Sequence, residues 1–248
     1  FAPSNRIIAA TRGGSIRISA GEPLRRTVVQ HLVYELRSFL HNLSKLEVLI
    51  MITRIFLAGV LGGIAMFIWS TIAHMFLPLG ETGVREIPDE PAVVGAMKSG
   101  LKHSGFYIFP GLGVGGNPSR EQRSEAMKRM AETYPEHASG ILIYHPPGRS
   151  LAFGRMLGVE FITEVIEAIL VVVLLAQTRI QSFGGRVGFV LIAGILAAIT
   201  TNIPYWNWYG FPSNYTAAYM FVEIVGFLCA GLVAALLFKN RPLLSSVA

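Results

Sequence analysis

Residues 157–177 constrain this chain more than any other stretch: the run is apolar and long enough to cross a bilayer, yet it carries Glu160, Glu164 and Glu167. At about 100° per residue, spacings of four and then three put these carboxylates within roughly 60° on one helical face, climbing roughly 10 Å along the axis. A carboxylate turned toward lipid is costly. The face must therefore look into a helix bundle, a cavity or a second chain.

Composition agrees with a membrane setting. Apolar residues make up 52% of the 248 residues and charged ones only 15%, outside the usual range of a soluble globular domain. The net charge of +6 would point to nucleic acid in a soluble protein. Here the basic residues flank apolar runs, where anionic headgroups and topology account for them, so no nucleic-acid partner is implied. The lone cysteine, Cys229, excludes an internal disulfide and carries no information about redox compartment.

In chain order, Arg6, Arg12 and Arg17 precede the first acid, Glu22, and residues 24–49 keep a helical apolar period through Val29, Leu32, Val33, Leu36, Leu40 and Leu43. This reads as a basic amphipathic surface helix. Met51 reads as a credible start, which leaves residues 1–50 either as that arm or as a stretch outside the native protein. Residues 55–79 form the first expected span, with Gly59 and Gly63 as a GxxxG pair that lets helix backbones approach closely.

Residues 80–156 are polar and are expected outside the hydrocarbon. Asp89 can cap a helix from Glu90 to about Leu101, and residues 106–109 read as a strand. Ser119 followed by Gln122 is a capping box opening a second helix that ends near Tyr134, and residues 141–144 read as a second strand. A small α/β cap results, below the size at which a core is self-sufficient. After the glutamate-bearing second span come a third span over 187–203, an aromatic outer loop over 204–216 and a fourth span over 217–238. Gly226, Ala230 and Ala234 give the fourth span a small-residue face.

The expected fold is thus an all-α integral membrane protein of four transmembrane helices, with a small extracytoplasmic α/β cap between helices 1 and 2. Arg54, Arg179, Arg186, Lys239 and Arg241 fall on one side of this arrangement, while the loop between spans three and four has no lysine or arginine. The positive-inside rule then puts both termini, including the tail 242–248, in the cytoplasm.

Three segments carry a resemblance: Trp69-Ser-Thr-Ile-Ala-His74-Met-Phe-Leu-Pro78-Leu-Gly-Glu81, Gly105-Phe-Tyr-Ile-Phe-Pro110-Gly, and Tyr205-Trp-Asn-Trp-Tyr-Gly-Phe-Pro212. Over residues 51–241 the chain resembles an uncharacterised family of small bacterial four-helix inner-membrane proteins. The resemblance implies a multi-pass protein of the bacterial inner membrane and supports Met51 as the start. It brings no activity.

Two familiar patterns fail on context. Gly111, Gly113 and Gly116 satisfy GxGxxG after a predicted strand, but Asn117 and Pro118 separate them from the next helix, whereas a dinucleotide turn opens directly into one. The loop histidines His103, His137 and His145 lack metal-ligand spacing. No cofactor is expected, and no catalytic or metal-ligating set is assigned.

What remains is a candidate intramembrane polar cluster of His74, Glu160, Glu164, Glu167, Asn202 and Glu223. Counted from the outer end of each span, Glu164 lies roughly 10 Å deep, Glu223 roughly 9 Å, His74 roughly 7 Å and Glu160 roughly 5 Å. Asn202 is near the rim and Glu167 near the midplane. No lysine or arginine lies inside a span to neutralise the acids. The carboxyls are then neutral, paired with His74, reached by Arg149 or Arg155, or bound to a cation. Three readings stay open: a non-enzymatic structural or binding module knit by hydrogen bonds to His74, Thr200, Thr201 and Asn202; a proton or divalent-cation site of a transporter-like or sensing protein, which implies a homo-oligomer; or a membrane enzyme using a glutamate as acid or base.

Overall fold

The computed structural model describes residues 22–238. Arg6, Arg12 and Arg17, the flanking Lys239 and Arg241, and the tail 242–248 lie outside the described residues. The chain is mostly helical and divides into two units at Ile50 and Met51. The first helix, α1 (Glu22–Met75), runs unbroken through that boundary. In the first unit, Val33 and Leu36 of the expected apolar stripe are exposed. The side chains of Val29, Leu32, Leu40 and Leu43 are outside the described set.

Met51 onward forms the second unit. Among the described residues, three helices are long and apolar enough to cross a membrane: Lys45–Met75 within α1, Phe183–Tyr209 and Ser213–Leu237. The first expected span closes earlier than residue 79. The amides of Phe76 and Leu77 both return to the Ile72 carbonyl, and Pro78, with no N–H, cannot continue the ladder. A 3-10 turn (Leu79–Glu81) follows.

Four helices nevertheless share one core. Ala58 and Met66 of α1, Ala168, Val171, Val172 and Leu175 of α4 (Phe153–Ala176), Val190 of α5 (Phe183–Tyr209), and Phe227, Ala230 and Ala234 of α6 (Ser213–Leu237) form a single buried cluster. The GxxxG pair finds its partner in α4. A Cβ on Gly59 would lie 2.6 Å from the Ile169 Cα, and one on Gly63 would collide with the Val165 backbone. Glycine here sets the interhelical distance, because the obstacle is main chain rather than a side chain that could swing away. The small-residue face of α6 closes the same junction: the nearest atoms to a Cβ on Gly62 are those of Ala230 and Ala168, at 3.4 and 3.5 Å.

The expected aromatic loop over 204–216 is mostly helix. α5 passes through Pro204 and ends only at Tyr209, where Gly210 takes the left-handed conformation (φ 69°) and its N–H returns to the Tyr205 carbonyl. Proline removes one donor, yet the helix continues through it for another turn. The α5–α6 turn therefore shrinks to Gly210, Phe211 and Pro212, and the Trp206 indole N–H bridges it to the Ser213 hydroxyl at 3.0 Å.

Between α1 and α4 the polar segment holds α2 (Glu90–Gly100), β1 (Gly105–Phe109), α3 (Arg120–Thr133) and β2 (Gly140–Tyr144). Asp89 caps α2 by accepting from the Ala92 amide. Ser119 and Gln122 close a reciprocal capping box on α3. On the same first turn, a backbone hydrogen bond and the Ser119 hydroxyl hold the exposed Glu121 carboxyl below its ordinary range. The strands pair antiparallel, Gly105 opposite Tyr144 and Phe109 opposite Gly140. This is less than the expected α/β cap. The sheet is a two-stranded ribbon, and between residues 82 and 152 only Ala126 and Tyr144 are buried, too little for a self-sufficient core. The ribbon touches the bundle through Phe106, whose ring meets Tyr209 edge-on at 5.7 Å.

Candidate functional site

Close packing of α1 on α4 decides where the glutamates go. Val165 and Ile169 are the α4 residues pressed against Gly63 and Gly59, so the neighbouring Glu164 is carried inward and retains only 7% of its exposure. Glu167, a turn further on, is half-buried, and Glu160 is exposed. The polar neighbours of Glu164 are the Ser70 hydroxyl of α1 and the carboxylates of Glu160 and Glu167. One of its oxygens, Oε2, is fully buried and has no hydrogen-bond partner.

A second polar pair stands on the α5–α6 hairpin. The Asn202 amide donates to Glu223 Oε2 at 3.1 Å and to the Ala198 carbonyl of its own helix at 3.0 Å. Glu167 links the two groups, lying within electrostatic reach of Glu164 on its own helix and of Glu223 on α6. The site therefore groups Glu160, Glu164 and Glu167 along α4, with Glu223 of α6 held by Asn202 and within electrostatic reach of Glu167.

The structure gives His74 other company. Its Nδ1 sits 2.8 Å from the Ser70 carbonyl, its ring packs against Gly80, and it meets Tyr219 edge-on at 5.9 Å. It thereby ends an aromatic series that runs Tyr219, Tyr215, Phe211, Tyr205, Tyr209 and Phe106, with successive centroids 4.3 to 5.8 Å apart. Equal depth placed His74 among the glutamates; its azimuth on α1 turns it toward Tyr219 of α6 instead, and the turn after Met75 brings Gly80 against its ring.

The threonines expected to join the network do not all do so: the Thr200 hydroxyl bonds the Leu196 carbonyl of its own helix, and Thr201 is exposed. Arg149 and Arg155 line a surface depression at the start of α4 with Ser150, Leu151 and Met156. Among the described residues, neither forms an ion pair with a glutamate. No group of three or more His, Cys, Asp or Glu side chains among the described residues is placed to hold a metal ion.

Two contributors escaped the sequence reading. Ser70 is one of many small polar residues in a span, and only the α1–α4 contact singles it out. Trp69 donates its indole N–H to the Val222 carbonyl at 2.8 Å, tying α1 to α6 one residue from Glu223. A tryptophan inside a span whose N–H needs an acceptor was the available signal. No protein-family model, no curated protein and no solved structure matches this chain.

Proposed function

We propose that this chain is a four-span, non-enzymatic membrane protein whose intramembrane carboxylates exchange a proton, as in a small transporter-like or sensing protein. One observation carries the reading: Glu164 is buried among helices while its Oε2 has no partner. A purely structural network would satisfy both oxygens of its most buried acid, since an unpaired buried polar atom costs about 1–3 kcal/mol. The unpaired oxygen lets a proton be gained or lost there without breaking a hydrogen bond to the protein. The carboxylate neighbours Glu160 and Glu167 give the proton onward positions, whereas a divalent cation would need donors converging on one point, which these carboxylates do not offer.

Infrared difference spectra recorded across a pH jump, with the protein in lipid, test this. Wild type should show a carboxylic C=O band that disappears in Glu164→Gln, while the thermal stability of that variant stays close to wild type because the amide keeps a donor and an acceptor in the same volume. A Glu164→Gln spectrum identical to wild type would rule the proposal out.

The fourth span in this reading is α4. Its 24 residues reach about 36 Å, and it shares the core of the three more apolar helices. With both termini cytoplasmic in a bacterial inner membrane, the ribbon and helices of the polar segment face outward. In a Cys229→Ser background, a cysteine at Ser99 should react with an impermeant thiol reagent in intact cells and one at Gln181 should not. Gln181 is the better reporter than its neighbour, because the Ser182 hydroxyl caps α5 by accepting from the Gly185 amide. Equal labelling at both positions would remove the four-span arrangement.

A further inference from the structure

We infer that the cleft between the two-stranded ribbon, α3 and the α5–α6 turn is a binding site for the hydrocarbon chain of a membrane lipid drawn up from the adjoining leaflet. The cleft encloses roughly 890 Å³, within the range of small-molecule sites. Its walls are Ile108 and Phe109 of β1, Ile141 of β2, Met127 and Met130 of α3, and Trp208 with Phe211 at the turn. No Asp, Glu, Lys, Arg or His is among its lining residues. An ionic ligand would lose its hydration there with nothing to replace it, whereas a hydrocarbon chain loses none.

Position supplies the occupant. On the four-span reading, on which this inference rests, Trp208 lies about 33 Å along α5 from Arg186, one hydrocarbon thickness away, which puts the mouth of the cleft at headgroup level beside the bilayer. The α3 wall is the informative one. α3 is otherwise a polar helix, REQRSEAMKRMAET, yet it directs Met127 and Met130, three residues apart, into this cleft together with Tyr134 just beyond its end. Methionine is unbranched and adapts to a flexible chain. Much of the wall is unpacked within the protein, with Ile108 58% and Met127 53% exposed, which a bound chain would cover. Among its lining residues, Tyr134, Ser139, Asn207, Trp208 and Tyr209 carry uncharged polar groups suited to an uncharged part of the lipid, such as its ester linkage.

Photocrosslinking tests this on the full chain in nanodiscs, using a phospholipid with a diazirine in one acyl chain. Any lipid-facing span will be labelled by surrounding lipid, but α3 lies beyond the hydrocarbon, so an adduct on Met127 or Met130 requires a chain lifted into the cleft. The expected result is labelling of α3 that falls several-fold in Met130→Glu and persists in Met130→Leu, with labelling of the spans unchanged in both. α3 is a surface helix, so a glutamate there leaves folding intact, and the unchanged span labelling reports this directly. Adducts confined to α5 and α6, or α3 labelling indifferent to Met130→Glu, would overturn the inference.

Discussion

Arg186→Met should lower the unfolding free energy of the detergent-solubilised protein by on the order of 3 kcal/mol, while Arg179→Met leaves it within about 0.5 kcal/mol. Arg186 retains 1% of its exposure although it stands at the start of a candidate span. Its Nε donates to the Ile180 carbonyl at 3.1 Å, and a guanidinium N–H donates to the carbonyl of Phe238, the C-cap of α6. The side chain thus joins the turn before α5 to the end of α6, serving carbonyls that have no helical partner of their own. A positive charge at a helix C-terminus also opposes the negative end of the α6 dipole. Arg186→Lys should recover only part of the loss, because an ammonium cannot present the guanidinium fork to two carbonyls on different segments. Equal thermal or denaturant midpoints for Arg186→Met and the exposed Arg179→Met would show that the clamp carries no stability.

Those two arginines illustrate what the sequence exposes and what it hides. Both count equally in a tally of flanking charges, because the positive-inside rule concerns side and not burial. Which of them is swallowed depends on where α6 ends in space. Signals that act locally were legible: the Asp89 cap, the Ser119 and Gln122 box and both strands fall where their residues put them, since each depends on neighbours a few positions away. Pro204 misled for the complementary reason. Its local preference is to end a helix, yet α5 runs on through it to Tyr209, where the left-handed Gly210 ends it instead.

The polar cluster was legible in depth but not in azimuth. Distance along a span brought Glu223 and Asn202 into question together, and the short hairpin turn makes them partners. The same measure grouped His74 with the acids, although its ring belongs to the aromatic series at the helix ends. Helix rotation is fixed by interhelical contacts, so choosing between Ser70 and His74 as the neighbour of Glu164 required knowing that Gly63 faces Val165.

That contact supports the second large effect. Gly63→Ala should destabilise the protein by at least about 2 kcal/mol, because the added methyl meets the Val165 main chain and only a shift of the whole of α4 can relieve it. Gly158→Ala, on the partner helix α4 with open space around its Cβ position, should instead be neutral or stabilising by about 0.5–1 kcal/mol, the usual gain of alanine over glycine in a helix. The pair separates close approach from helix propensity within one experiment. It also reaches the site, since moving α4 off α1 withdraws Glu164 from Ser70 and from its burial. Adding Glu164→Gln to Gly63→Ala should therefore change the infrared carboxyl band far less than it does in the wild-type background, a non-additivity expected of residues that share one contact. If Gly63→Ala proved as stable as Gly158→Ala and kept the wild-type band, the GxxxG contact would not be what holds the buried glutamate in place.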